Sequence, residues 1–140
     1  MIMSTTEQES LQKPEIMPQE KKTIIVADDD AGIIDAVSIM LRISGYEVRP
    51  TLNGGMLLHL PPEEYPDLIL LDIWMSGEDG TEICRALKKN ENTRNIPVIL
   101  FSASKEIQQS AFDAGADDFL AKPFEMGELL GKIGRLIEKQ

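Results

Sequence analysis

Five short apolar runs, at 23–27, 46–50, 67–71, 97–101 and 117–121, alternate with five longer segments at 31–44, 53–60, 80–90, 105–114 and 125–138. Most of the short runs are uniformly apolar, which predicts strands buried on both faces. The longer segments are helix-sized. In the last one Met126, Leu129, Leu130, Ile133 and Ile137 recur at three- and four-residue steps and draw one apolar stripe along a helix. Strand and helix in strict alternation, joined by right-handed crossovers, close into a parallel sheet with helices on both faces. Gly45 and Gly115 follow helix segments where a left-handed residue commonly ends the helix. The expected fold is therefore α/β, a doubly wound five-stranded parallel sheet with five helices and no second domain.

Residues 1–22 break the pattern. They are rich in Ser, Thr, Gln, Glu, Lys and Pro without an aromatic residue or a sustained period, which predicts a disordered tail ahead of one domain at 23–140. Charge then removes several functions. Fourteen Lys+Arg stand against 24 Asp+Glu, a net charge of −10, and no basic cluster exceeds a pair such as Lys88-Lys89, so direct nucleic-acid binding is not expected. No apolar run approaches the roughly 20 residues of a membrane-spanning helix, and 1–22 lacks the apolar stretch of a signal peptide. The single cysteine, Cys84, excludes an intramolecular disulfide and a cysteine-based zinc cluster, and the expected location is cytoplasmic.

Open sheets of this kind bind ligands beyond the carboxyl ends of their strands, which narrows the search to residues at those ends. The first strand runs into Asp28-Asp29-Asp30, the third into Asp72, the fourth into Ser102-Ala103-Ser104 and the fifth into Lys122-Pro123. Like charges about 4 Å apart repel by about 4 kcal/mol at an effective dielectric near 20, so gathered carboxylates need a counter-charge. Lys122 and a divalent cation would supply it, and an all-oxygen donor set favours Mg2+. An Asp carboxylate can attack phosphorus to form an aspartyl phosphate. Asp72 is the best-placed nucleophile because it alone ends a central apolar strand, with Gly77 and Gly80 in the following loop to let the backbone come close to a ligand.

From 22 to 138 the chain resembles the receiver domains of two-component response regulators. The resemblance rests on Ile24-Ile25-Val26-Ala27-Asp28-Asp29-Asp30, on Leu70-Leu71-Asp72-Ile73-Trp74-Met75, on Ser102-Ala103 and on the run from Gly115 to Phe124, in that order and spacing. It implies the flavodoxin-like sheet order 2-1-3-4-5. It implies that Asp72 is the phosphoacceptor and that Asp28, Asp29, Asp72 and the backbone carbonyl of Trp74 form an Mg2+ site, with Asp29 a direct ligand. It makes Ser102 the switch hydroxyl, Phe119 the switch aromatic, and Lys122 the phosphate-binding lysine before a cis peptide to Pro123. The implied partners are a sensor histidine kinase or histidine phosphotransfer protein and a downstream effector protein. The implied output face, formed by the fourth helix, fifth strand and fifth helix, could also carry a homodimer. Because no effector domain follows Gln140, the expectation is a stand-alone receiver that signals through a separate partner, or else a fragment of a longer regulator. The resemblance further implies a phosphoacceptor signalling domain that is not an enzyme beyond self-catalysed phosphotransfer and dephosphorylation. Two features depart from or vary within the family: Ser76 stands where the loop usually carries Pro, and Trp74 and Ser104 occupy variable positions beside the phosphoryl group.

Plainer readings compete at several of these residues. Asp28 to Asp30 also suit a helix N-terminus, which accounts for Asp30 and not for Asp72. Phe119 reads equally as sheet packing. His59 reads as a surface residue, because no second His exists to pair with it, and Cys84 as a small core residue. Gly127, Gly131 and Gly134 share one face of the last helix, which suits either a close partner or simple tolerance. An aspartyl-phosphate phosphatase would want an acid two residues after its nucleophile, where this chain has Trp74. A binding module that has lost phosphorylation would not need the acid pair, nucleophile, hydroxyl and lysine together. The acidic first turn opposes a flavin phosphate.

Overall fold

The computed structural model describes residues 20–75 and 77–138; the expected tail at 1–22 falls mostly outside them, as does Ser76. The elements run β1 (Thr23–Ala27), α1 (Ala31–Ile43), β2 (Glu47–Thr51), β3 (Leu68–Asp72), β4 (Trp74–Met75), β5 (Glu78–Asp79), α2 (Gly80–Lys89), β6 (Val98–Ser102), α3 (Gln108–Asp113), β7 (Asp118–Ala121) and α4 (Met126–Glu138). Five strands pair in parallel in the order β2-β1-β3-β6-β7. In terms of the five expected strands this is 2-1-3-4-5, the flavodoxin-like receiver topology.

Every residue of β3 and β6 is buried, as uniformly apolar strands between two helical layers must be. Pleating divides them. Ile24, Val26, Leu68, Leu70, Ile99, Phe101 and Leu120 face α1 and α4, against Ile34, Val37, Leu41, Leu129 and Ile133. Ile25, Ala27, Ile69, Leu71, Leu100 and Phe119 face α2 and α3, against Ile83, Cys84, Leu87 and Ala111. Gly45 and Gly115 adopt φ of 102° and 96° and end their helices as the sequence suggests. At the amino ends of the strands, the Asp67 carboxylate accepts from the Thr23 N–H at 2.7 Å, and Asp117 takes both the Val98 N–H and the Lys88 ammonium at 2.8 Å. Those carboxylates are occupied in pinning strands, which leaves the opposite edge for chemistry.

Three local features differ from the sequence expectation. The second helical segment is a 3-10 turn at Gly54–His59, capped by the Asn53 side chain on the Gly55 N–H. Gly54 packs against the side-chain ends of Met75 and Ile83, and Pro61 and Pro62 follow too soon for an α-helix to nucleate. The fourth helix begins as a 3-10 turn at Lys105–Ile107 with Ser104 as its cap. The loop after Asp72 is a small antiparallel hairpin, β4 with β5, pairing Trp74 with Asp79 and Met75 with Glu78. His59 is exposed and Cys84 is wholly buried. Among the described residues no helix is long and apolar enough to cross a membrane.

Candidate functional site

Four of the strand-end residues singled out above meet in space. Asp28 follows β1 and is completely buried; its Oδ1 accepts the Asp30 N–H at 2.9 Å and its Oδ2 accepts the Lys122 ammonium at 2.9 Å. Asp30 turns away to cap α1, accepting from the Gly32 and Ile33 N–H groups, so the plainer reading holds for that residue. Asp72 is the last residue of β3, 5% exposed, with Oδ1 3.5 Å from Lys122 Nζ. Asp28, Asp29 and Asp72 each offer a carboxylate oxygen within 4.8 Å of the others, and Asp29 is exposed.

The electrostatics follow from that crowding. Burial pushes the Asp72 carboxyl up to about 6, and the neighbouring Asp28 charge pushes the same way, against Lys122 and a hydrogen bond from the Trp74 backbone. One ammonium, in contact with Asp28 and Asp72, stands against a cluster of three carboxylates. An oxygen-only donor set with that deficit fits a hard divalent cation such as Mg2+, held by Asp28, Asp29 and Asp72.

Ser102 ends β6 and is 1% exposed; its Oγ accepts the Ser104 N–H at 3.1 Å. It adjoins the lysine through the backbone, since the Lys122 N–H donates to the Ser102 carbonyl at 2.8 Å. Phe119 is buried among the residues facing α2 and α3, where it packs as a core aromatic. The Lys122–Pro123 peptide is cis. The Trp74 indole is 59% exposed and, with Asp29, Gly77, Glu78 and Asp79, lines a cleft of about 440 Å³ beside the acids.

Sequence reasoning missed what supports the cleft. Glu78 Oε1 accepts the Gly54 N–H at 3.0 Å and ties the hairpin to the 3-10 turn, while Asp79 caps α2 through the Thr81 N–H. An Asp before a helix-sized segment was a readable capping signal; the Glu78 tie had none. Gly80 lets α2 start against β3, its N–H donating to the Ile73 carbonyl at 2.6 Å.

The likeness to known proteins is extensive. The "DNA-binding dual master transcriptional regulator RpaA" of Synechocystis is 39% identical over 118 residues, which are 83% of this chain and 49% of that protein. The chain thus spans about half the length of the curated relatives it matches. A putative response regulator from Chloroflexus aurantiacus superposes with a TM-score of 0.80 at 29% identity, covering 85% of this chain and 99% of that one. Response regulator TrrA from Thermotoga maritima, solved in complex with Mg2+-BeF, superposes with a TM-score of 0.74 at 30% identity, covering 82% and 98%. The response regulator receiver domain family matches residues 24–134, from the second residue of β1 to well inside α4. That span takes in all five parallel strands and every acid, hydroxyl and amine at their ends, and the chain belongs to the receiver domains of response regulators.

Proposed function

We propose that Asp72 accepts a phosphoryl group from the phosphohistidine of a sensor histidine kinase or phosphotransfer protein. The observation that carries this reading is the convergence of Asp72 with Asp28, Asp29 and Lys122 at the end of the central strand. A carboxylate oxygen of Asp72 attacks phosphorus as the bond to the donor nitrogen breaks. Lys122 then exchanges its Asp28 partner for a phosphoryl oxygen, and the Ser102 hydroxyl donates to another. When bound by Asp28, Asp29, Asp72 and the Trp74 carbonyl, Mg2+ supplies positive charge to the equatorial oxygens. The receiver unit spans 23–140, works in the cytoplasm and signals through a phosphorylation-dependent protein contact.

Two surface features support this reading. An apolar groove lined by Ile33, Met40, Ala103, Pro123, Phe124 and Met126 opens next to Lys122 and suits the donor protein. On α3, Phe112 is 40% exposed and offers an apolar contact to an effector or a second copy. Incubation with Mg2+ and a small phosphodonor is expected to add one phosphoryl group that peptide mapping places on Asp72; labelling elsewhere would refute the reading.

Two variants examine the parts. Asp29→Ala is expected to weaken Mg2+ binding by about tenfold or more, followed by quenching of Trp74 fluorescence. Unchanged titration curves would remove Asp29 from the ligand set. Ser102→Ala is expected to leave labelling of Asp72 largely intact while weakening phosphorylation-dependent partner binding, since a charge-assisted hydrogen bond worth about 1.5 to 3 kcal/mol is lost. If the fully phosphorylated variant binds its partner as tightly as the parent, the coupling does not run through Ser102.

A further inference from the structure

The Lys122 ammonium has a third neighbour besides its two carboxylates. It lies over the ring of Phe101, 4.7 Å from the centroid. Phe101 is fully buried, one residue before Ser102 and paired across the sheet with Asp72. Its ring packs edge-to-face with Phe124, centroids 6.2 Å apart and planes at 86°, which fixes the plane it presents to the lysine. The ammonium therefore has Asp28 at 2.9 Å, Asp72 at 3.5 Å and an aromatic face on a further side.

Lysine is a compact charge on a flexible four-carbon stem, so its ammonium keeps a fixed position only where its neighbours hold it. A ring face attracts a cation while excluding water, and it imposes no directional hydrogen bond. A leucine at position 101 would fill the core in much the same way and leave that side of Nζ without a partner. We propose that Phe101, braced by Phe124, is a positioning residue that keeps the Lys122 ammonium between Asp28 and Asp72, so that it passes to the phosphoryl oxygens without leaving its seat. Because the phosphoryl charge develops during transfer, a counter-charge already in place lowers the barrier more than one that must be recruited. The proposal rests on Asp72 being the phosphoacceptor.

Fluorinated phenylalanines at position 101 separate the aromatic face from simple packing, because fluorine drains the face while the ring stays apolar and similar in shape. With saturating Mg2+ and phosphoramidate as donor, the maximal rate of Asp72 labelling is expected to fall stepwise from mono- to tri- to pentafluorophenylalanine. The last should reach about a tenth of the parent rate, and Phe101→Leu should match it, with the half-saturating donor concentration little changed. A second readout needs no reaction. In the unphosphorylated parent the ε-methylene protons of Lys122 are expected upfield of their ordinary NMR position through the Phe101 ring current, and in Phe101→Leu they return to it. Equal rates across the fluorinated series, with Asp72 labelled throughout, overturn the proposal, as do ordinary Lys122 shifts in the parent. An unlabelled parent that keeps the upfield shift refutes the phosphoacceptor reading itself, and the positioning role falls with it.

Discussion

Asp72→Asn is expected to abolish phosphorylation by a small phosphodonor and, in the same protein without metal, to raise stability at pH 7 by on the order of 2 kcal/mol. The two effects share one cause. Asp72 is held among like charges with a folded pKa of about 6 against an ordinary 3.8, so between those values the native state keeps a proton that the unfolded chain has lost. Stability from this group is therefore greatest below about pH 4 and declines as pH rises through about 6. Asn carries no such charge and should escape the decline. Urea denaturation in a chelator from pH 4.5 to 7.5, parent against variant, cancels the titrating groups away from this cluster. The curves should diverge with rising pH, and added Mg2+ should bring them back together. Parallel curves would mean that the crowding imposes no penalty on the carboxylate.

Gly80→Ala is expected to destabilise the protein by about 2 to 3 kcal/mol and to slow labelling of Asp72 as well. A Cβ at this position would run into the Asp72 carbonyl oxygen and lie 2.8 Å from the Ile73 Cα. Both are backbone atoms at the end of a fully buried strand, so relief requires shifting β3 or the start of α2, and with it the Asp72 carboxylate. Gly134→Ala makes the control, since nothing lies within 4 Å of its Cβ position on α4, and it should gain up to about 1 kcal/mol. A Gly80→Ala protein with the parent's urea midpoint would show that the end of β3 yields freely.

The legible parts of this molecule are those set by long-range burial. Leu68 to Leu71 is apolar at every position, and a strand of that kind ending in a carboxylate announces both a central place in the sheet and a residue kept for chemistry. The acid, hydroxyl and amine at the ends of β1, β6 and β7 were readable for the same reason. What stayed hidden depends on contacts that no local period encodes. The 3-10 turn at Gly54–His59 packs Gly54 on Met75 and Ile83, residues distant in sequence, and β4 and β5 are each two residues long, too short for alternation to show. Phe101 looked like one more apolar residue in a strand. Only the fold sets it beneath Lys122, a residue 21 positions later in the chain.

The pleat of the sheet sorts these residues by side. Asp28, Asp72 and Lys122 continue the strand faces that turn toward α1 and α4, whereas Ser102 continues the face of Leu100, which together with Phe119 turns toward α3. On the proposed reading, a phosphoryl group on Asp72 would form on one side of the sheet and be met by a Ser102 hydroxyl anchored on the other. A donor in the groove beside α1 would reach Met126 at the start of α4, so it would meet an effector bound across α3, β7 and α4 at that end of the helix.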